Sequence, residues 1–277
     1  MTKKIQLQIE TMKKIPPFDT IELQPGNGIA IIWFNRPDIR NAINPVLLAE
    51  VSKALTLLEK DPSVRAVVLA GRGAAFCAGA DLKWMLEAGK AKKAAASKMG
   101  GLEEVLHQLA EFPKPTLARV HGAAFAGGMG FVSACDIAVA SSDAVFCLSE
   151  VKIGLIPAII SPYVVRAMGE RMARRYFLTA ERFDGAEAYR MGFVQELAVP
   201  EELDATINEI LGHLVQGGPK ALEESKKLIR LVAGNPITPK MRTETAQRIT
   251  AVRASAEGKE GIAAFLEKRK PKWVPVA

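Results

Sequence analysis

Three short stretches carry the side chains and backbone that could do chemistry. "CAGADL", Cys77 to Leu82, surrounds a glycine with small residues and then offers an acid ahead of an apolar run. "AFAGGMGF", Ala124 to Phe131, repeats that crowding of small side chains. Residues this small bring main-chain N–H groups to a surface that another molecule can approach. In each stretch a strand-like run comes first and a helix-like run follows, so the N–H groups of Ala80 and Gly127 fall close to helix starts. There they lack intrahelical partners and the helix dipole favours negative charge. Two such donors converging on one point would form an oxyanion hole, although small residues equally permit close helix–strand packing. Glu150, in "FCLSEVKIGL", ends a strand-like run among apolar neighbours. Such surroundings raise a carboxyl pKa and suit it to proton transfer; the alternative is a surface ion pair with Lys152 or Arg166.

The elements that must position these groups follow from hydropathy. "GIAIIWFN" (28–35), "VRAVVLAG" and "PTLARVHG" read as strands, the latter two of the fully buried, parallel type. "PVLLAEVSKALTLLEKD" has helical spacing at Val46, Leu47, Val51, Ala54, Leu55 and Leu58. Residues 81–112 are helical in propensity with a break at Gly100-Gly101; a short helix follows Gly127-Gly128, then strands "DIAVAS" and "AVFCLS". This alternation predicts an α/β fold with a largely parallel sheet. Beyond Pro157 the chain is mostly helix-like, in "YVVRAMGERMARRYFLTA", "GAEAYRMG", "PEELDATINEILGHLVQ", "PKALEESKKLIRLVAG" and "EGIAAFLEKRK". An α/β core over 1–195 and a helical region over 196–277 are expected.

Composition narrows the chemistry. The three cysteines, Cys77, Cys135 and Cys147, have no paired spacing and fit a reducing compartment. His107, His121 and His213 are scattered without a zinc pattern, so no metal site is expected. The start, "MTKKIQLQIETMKKIPPF", has no apolar h-region, and no apolar run reaches membrane-spanning length, so a cytoplasmic protein is expected. A formal charge of +7 suits either nucleic acid or a phosphate-bearing substrate.

Taken together, "FNRPDIRNAIN" (34–44), "GAAFCAGADLKWM" (73–85), "PTLARVHGAAFAGGMGFVSACDIAVAS" (115–141), "AVFCLSEVKIGLIP" (144–157) and "EGIAAFLEKRKPKW" resemble the crotonase, or enoyl-CoA hydratase/isomerase, superfamily. The resemblance covers almost the whole chain. It implies a ββα spiral core with a C-terminal helical trimerisation region. It implies further that the N–H groups of Ala80 and Gly127 hold the thioester carbonyl of an acyl-CoA, with Glu150 as the acid/base. Arg40 and Ala42 would flank the mouth where CoA enters, and Ala78, Asp81, Leu82 and Lys83 would line its nucleotide end. Phe265 and Lys268 would reach that nucleotide from a neighbouring subunit of a homotrimer or homohexamer. No cofactor is implied besides the CoA of the substrate.

The sequence departs from the family's hydratases at one point. Of the two glutamates they commonly carry, the first is matched by Gly130 and only the second, Glu150, is present. One carboxyl can move a proton between two carbons, as the family's 3-enoyl to 2-enoyl-CoA isomerases do, or can hydrate with help from water or from the substrate. Residues 148–188 are similar to bacterial methylglutaconyl-CoA hydratases of leucine breakdown and to their relatives acting on isohexenylglutaconyl-CoA. The expected activity is therefore a hydro-lyase acting on a branched, methylglutaconyl-like 2-enoyl-CoA, carboxylated or not, within fatty acid or leucine metabolism. Ser161, Tyr163 and Arg166 are candidates to meet a substrate carboxylate. From a different class, Lys90, Lys92, Lys93 and Lys98 could bind RNA, but they have no aromatic residues between them and read better as a solvated face.

Overall fold

In the computed structural model of the chain, residues 15–90 and 101–274 are described. Strand β1 (Ile21–Gly26) forms a hairpin with β2 (Ile29–Phe34), and helix α1 (Pro45–Lys60) follows, its N-terminus capped by the Asn44 side chain. Then come β3 (Ala66–Gly71), β4 (Ala75–Cys77), α2 (Leu82–Lys90), α3 (Leu102–Ala110), β5 (Thr116–Val120), β6 (Ala123–Phe125) and α4 (Gly127–Ala134). Next are β7 (Ile137–Ser141), β8 (Val145–Cys147), α5 (Ser161–Thr179), β9 (Phe183–Asp184), α6 (Gly185–Arg190) and β10 (Glu196–Ala198). Helices α7 (Leu203–Gln216), α8 (Pro219–Val232), α9 (Pro239–Ala254) and α10 (Ala256–Leu266) complete the chain.

The strands form two sheets rather than one. The first has the order β1-β2-β3-β5-β7-β10 and is parallel from β2 onward; the second has the order β4-β6-β8-β9. Each of β3, β5 and β7 passes through a short corner into β4, β6 or β8, so successive turns of the chain climb both sheets together as a ββα spiral. "AFC" and "AAF", between the strand-like and helix-like runs of these stretches, are strands of the second sheet.

Both faces of the first sheet are covered, which is why its strands read as unbroken apolar runs. Val67, Leu69, Ala118, Val120, Ala138 and Ala140 face the main core with the apolar stripes of α1 and α3. Ala66, Val68, Leu117 and Val139 face the other way, onto Leu203, Ile207 and Leu211 of α7. The sheet's last strand, β10, comes from residues 196–198 and pairs with β7. Phe34 ties β2 to the second sheet and to α4, its ring centroid 5.4 Å from Phe76 and 5.0 Å from Phe131.

Helix α9 has no signal in the pattern "PKMRTETAQRITAVRA", and none of its residues is buried within the chain. Helix α5 departs from helical geometry at Gly169. Among the described residues, no helix is long and apolar enough to cross a membrane and no group of three or more His, Cys, Asp or Glu could hold a metal ion. The lysine-rich segment lies outside the described residues beyond Lys90.

Candidate active site

The second sheet brings the three candidate groups together by register. Strands β4, β6 and β8 are neighbours and parallel, with Cys77 opposite Ala124 and Phe125 opposite Cys147. Parallel strands end on the same side, where ligands of such sheets bind. Ala80 lies three residues beyond Cys77, Gly127 three beyond Ala124 and Glu150 three beyond Cys147. All three line one cavity of about 360 Å³.

Local backbone contacts decide which way the amides face. Ala80 forms a parallel bridge with Ile43: the Ile43 N–H donates to Gly79 O at 2.8 Å, and the Asp81 N–H donates to Ile43 O at 2.9 Å. Both bonds of Ile43 thus go to the neighbours of Ala80, which leaves the N–H and C=O of Ala80 on the far side. Gly127 opens α4 behind Ala126, whose φ of 48° and ψ of −116° are unusual for a residue with a side chain. The Ala126 N–H donates to Cys147 O at 2.9 Å, fixing this turn to the end of β8. Neither the Ala80 nor the Gly127 N–H has an acceptor among the described residues.

The two loops touch through missing side chains. A Cβ added to Gly128 would stand 2.5 Å from Cys77 O, and one added to Gly127 would stand 2.6 Å from Ile43 Cδ1. Small residues here serve both of the roles weighed above, close packing and bare backbone.

Glu150 begins a short 3-10 turn, Glu150–Ile153, directly after β8. Its Oε2 is buried without a hydrogen-bond partner, and burial holds its pKa above the usual carboxylate value. Neither Lys152 nor Arg166 forms an ion pair with it; both side chains are exposed. The surface-pair alternative is thereby removed. The rest of the cavity wall is apolar, with Ile43, Met85, Leu102, Leu155 and Ile160 among its residues, and Ser149 as a further polar member.

Of the residues nominated for CoA, Ala78 and Leu82 line the cavity. Asp81 caps α2, accepting from Lys83 N at 3.2 Å and Trp84 N at 3.4 Å, and pairs with Arg36 at 3.3 Å. Lys83 is exposed just beyond. Arg40 is exposed with a left-handed backbone (φ 52°), its carbonyl accepting the Ala78 N–H at 2.9 Å; the Ala42 carbonyl accepts the Arg36 guanidinium. Phe265 and Lys268 lie at the end of α10 and outside the cavity wall, with Phe265 84 % exposed.

Three further nominations do not meet the cavity. Ser161 Oγ donates to Ala158 O at 2.7 Å at the start of α5, Tyr163 packs against the core, and Arg166 is exposed. Nor does Gly130 leave a void for water or substrate, because Ile160 and Leu106 fill its place. Cys77 is buried, which pushes its thiol up to about 12, and burial raises Cys135 as well; both are packing residues. Arg36, missed in the sequence apart from its motif, organises the loop beside Ala80.

Comparisons with known proteins agree with this fold. The sequence pattern of the family described as Enoyl-CoA hydratase/isomerase matches residues 24–275. A crotonyl-CoA hydratase of Syntrophomonas wolfei is 32% identical over 260 residues, covering 93% of this chain and 98% of that protein. The crystal structure of an enoyl-CoA hydratase from Shewanella pealeana superposes with a TM-score of 0.89 at 38% identity, covering 92% of this chain and 96% of that one. AtuE of Pseudomonas aeruginosa gives 0.87 at 36% identity, covering 93% and 100%. With its spiral of paired strands and a pattern match over nearly its full length, the chain belongs to the enoyl-CoA hydratase/isomerase family.

Proposed function

We propose that the protein hydrates a branched 2-enoyl-CoA, with the N–H groups of Ala80 and Gly127 as donors to the thioester oxygen and Glu150 as the acid/base. The observation that supports this reading is that Ala80, Gly127 and Glu150 line a single, mainly apolar cavity, with no acceptor for either amide among the described residues and with one carboxyl oxygen of Glu150 buried and unpartnered. Ionised Glu150 takes a proton from water as the oxygen attacks the β-carbon. The electron pair moves to the thioester oxygen as an enolate, which the two amides stabilise. Glu150 then returns a proton to the α-carbon and is ionised again, so one carboxyl closes the cycle without a second acid. Losing one donor of an oxyanion hole costs about a hundredfold or more in rate.

The CoA comes with the substrate, so the cycle needs no separate cofactor. Ala78 and Leu82 support a CoA path along the start of α2, with Asp81, Lys83, Arg40 and Ala42 beside it. The exposure of Phe265 supports its burial against a second subunit, and so a role for 196–277 in a trimer or hexamer. A methylglutaconyl-like carboxylate finds no cationic partner among the described cavity-lining residues, which makes an uncharged branched acyl group the better fit.

Isomerisation of a 3-enoyl-CoA is the second reading, favoured by Glu150 being the only ionisable side chain among the described lining residues. One assay separates the two. In a panel of linear, branched and carboxylated 2-enoyl-CoAs, the uncharged branched members should lose conjugated-thioester absorbance fastest, and Glu150→Gln should abolish the loss. Gain of absorbance from a 3-enoyl-CoA, with no loss from any 2-enoyl-CoA, would establish the isomerase instead.

A further inference from the structure

Arg36 does not line the cavity, yet it joins the two backbone segments that hold Ala80. Its own main chain is anchored twice: Arg36 N–H donates to Asn41 Oδ1 at 2.8 Å, and Arg36 O accepts from Asn41 N–H at 2.9 Å. Asn41 is fully buried and donates in turn to Arg72 O at 2.9 Å and Ala75 O at 2.8 Å. From this fixed base the guanidinium reaches two acceptors on different segments. Nη1 donates to the Ala42 carbonyl, and Nη2 donates to Asp81 Oδ2 at 3.3 Å.

Those acceptors flank the bridge that turns Ala80 outward. Ala42 precedes Ile43, and Asp81 follows Ala80. The Arg36 and Asp81 side chains are only 18% and 19% exposed, so water screens this contact less than it would an open surface pair. The other oxygen of Asp81 holds the first turn of α2, and one planar cation therefore sets the loop 36–43, residue 81 and the start of α2 against each other. A lysine could offer a point charge there, but not the two-way fork.

We infer that Arg36 is a positioning residue for the Ala80 donor, fixing its N–H through Ala42 and Asp81 without touching substrate. This rests on the oxyanion reading of Ala80 and Gly127. Displacement of a reacting geometry by about 1 Å costs up to a hundredfold in rate, so loosening this clip should act on turnover rather than on binding.

The test uses Arg36→Met, which keeps the apolar stem, and Arg36→Lys, which keeps the charge. Each is assayed for kcat and KM, for thermal stability, and for the carbonyl stretch of bound hexanoyl-CoA, a saturated thioester that cannot react. Wild type should lower that stretching frequency on binding. Arg36→Met should lose about tenfold or more in kcat with KM within about threefold, and its bound carbonyl should move back toward the free value, with Arg36→Lys in between. Where Arg36→Met does not fold, Arg36→Lys carries the same three readings. An unchanged carbonyl shift in the variants, whether or not kcat or stability falls, would overturn the inference and leave the oxyanion reading intact. A wild-type carbonyl that binds without any shift would defeat the oxyanion reading itself, and the role of Arg36 with it.

Discussion

Gly79 and Ala126 meet at the point where the two donor loops press together. A Cβ on Gly79 would stand 3.0 Å from Ala126 Cβ and 3.1 Å from Phe125 O, and Gly79 has a φ of +92°. Each of these residues immediately precedes one of the candidate donors, Ala80 and Gly127. Contact between 79 and 126 therefore fixes the spacing of the amides at 80 and 127.

Gly79→Ala should accordingly damage function beyond its effect on the fold. A left-handed backbone costs a residue with a side chain about 1–2 kcal/mol. The new methyl must also push Ala126 or its own loop away. Thermal unfolding should show a modest loss of stability, and kcat should fall by more than that loss explains under conditions where the variant is fully folded. Equal kcat in variant and wild type would mean that the spacing of the loops is not set here.

Glu150 predicts opposite responses of activity and stability to pH. Burial raises its pKa in the folded protein. Between the ordinary carboxylate value and that raised value, the folded chain keeps a proton that the unfolded chain has lost. Stability therefore falls as pH rises through this window and stays lower above it. The proposed cycle starts from the ionised form, so kcat/KM should rise through the same window. Glu150→Gln should remove the activity and, at neutral pH, melt at a higher temperature than wild type. A variant that is both inactive and less stable at neutral pH would show that the carboxylate is satisfied in the fold.

Gly130 and Ile160 predict what restoring a second acid requires. A Cβ on Gly130 would stand 2.5 Å from Ile160 Cγ2 and 3.2 Å from Leu106 Cδ1. Gly130→Glu alone should destabilise by about 1–3 kcal/mol through overpacking. It should also lower kcat, because α4 carries Gly127 one turn earlier. Adding Ile160→Ala should recover part of the stability. Denaturant unfolding of the single and double variants measures the coupling, and additive losses would argue that the two side chains do not compete for the same space.

Lys226 offers a control away from the cavity. Its Nζ sits 2.6 Å from Asp136 Oδ2 and 3.0 Å from Lys114 O, and Asp136 also accepts from Thr116 N and Oγ1. This knot fastens α8 to the strand ends of the first sheet. Lys226→Met should lower stability by about 1–3 kcal/mol, since it leaves a half-shielded carboxylate and a carbonyl short of a donor. Its kcat should match wild type where the protein is folded, and a large loss of kcat would tie α8 to the chemistry.

Much of the fold was legible in the residues themselves. Buried strands need apolar side chains on both faces, so "VRAVVLAG" and "PTLARVHG" announced a parallel sheet, and the apolar spacing of α1 announced a helix laid on it. Strand β1 and helix α9 were not legible. The former alternates buried Ile21 and Leu23 with exposed Glu22 and Gln24 for only four residues before Pro25, too short a run to stand out, and the latter buries nothing within the chain and so lacks the pattern that burial imposes. The candidate donors and the acid could be named from small-residue crowding and from an acid among apolar neighbours.

Tertiary structure alone decided what those residues can do together. Hydropathy reports whether a residue is buried, not which strand lies beside it. Only the order β4-β6-β8 and its register bring residues 80, 127 and 150 to one cavity, and only contacts far apart in sequence turn the Ala80 amide outward. The fate of the space at Gly130 was likewise beyond the sequence. A glycine specifies a missing side chain, and what fills that space is set by packing, here by Ile160 thirty residues further along the chain.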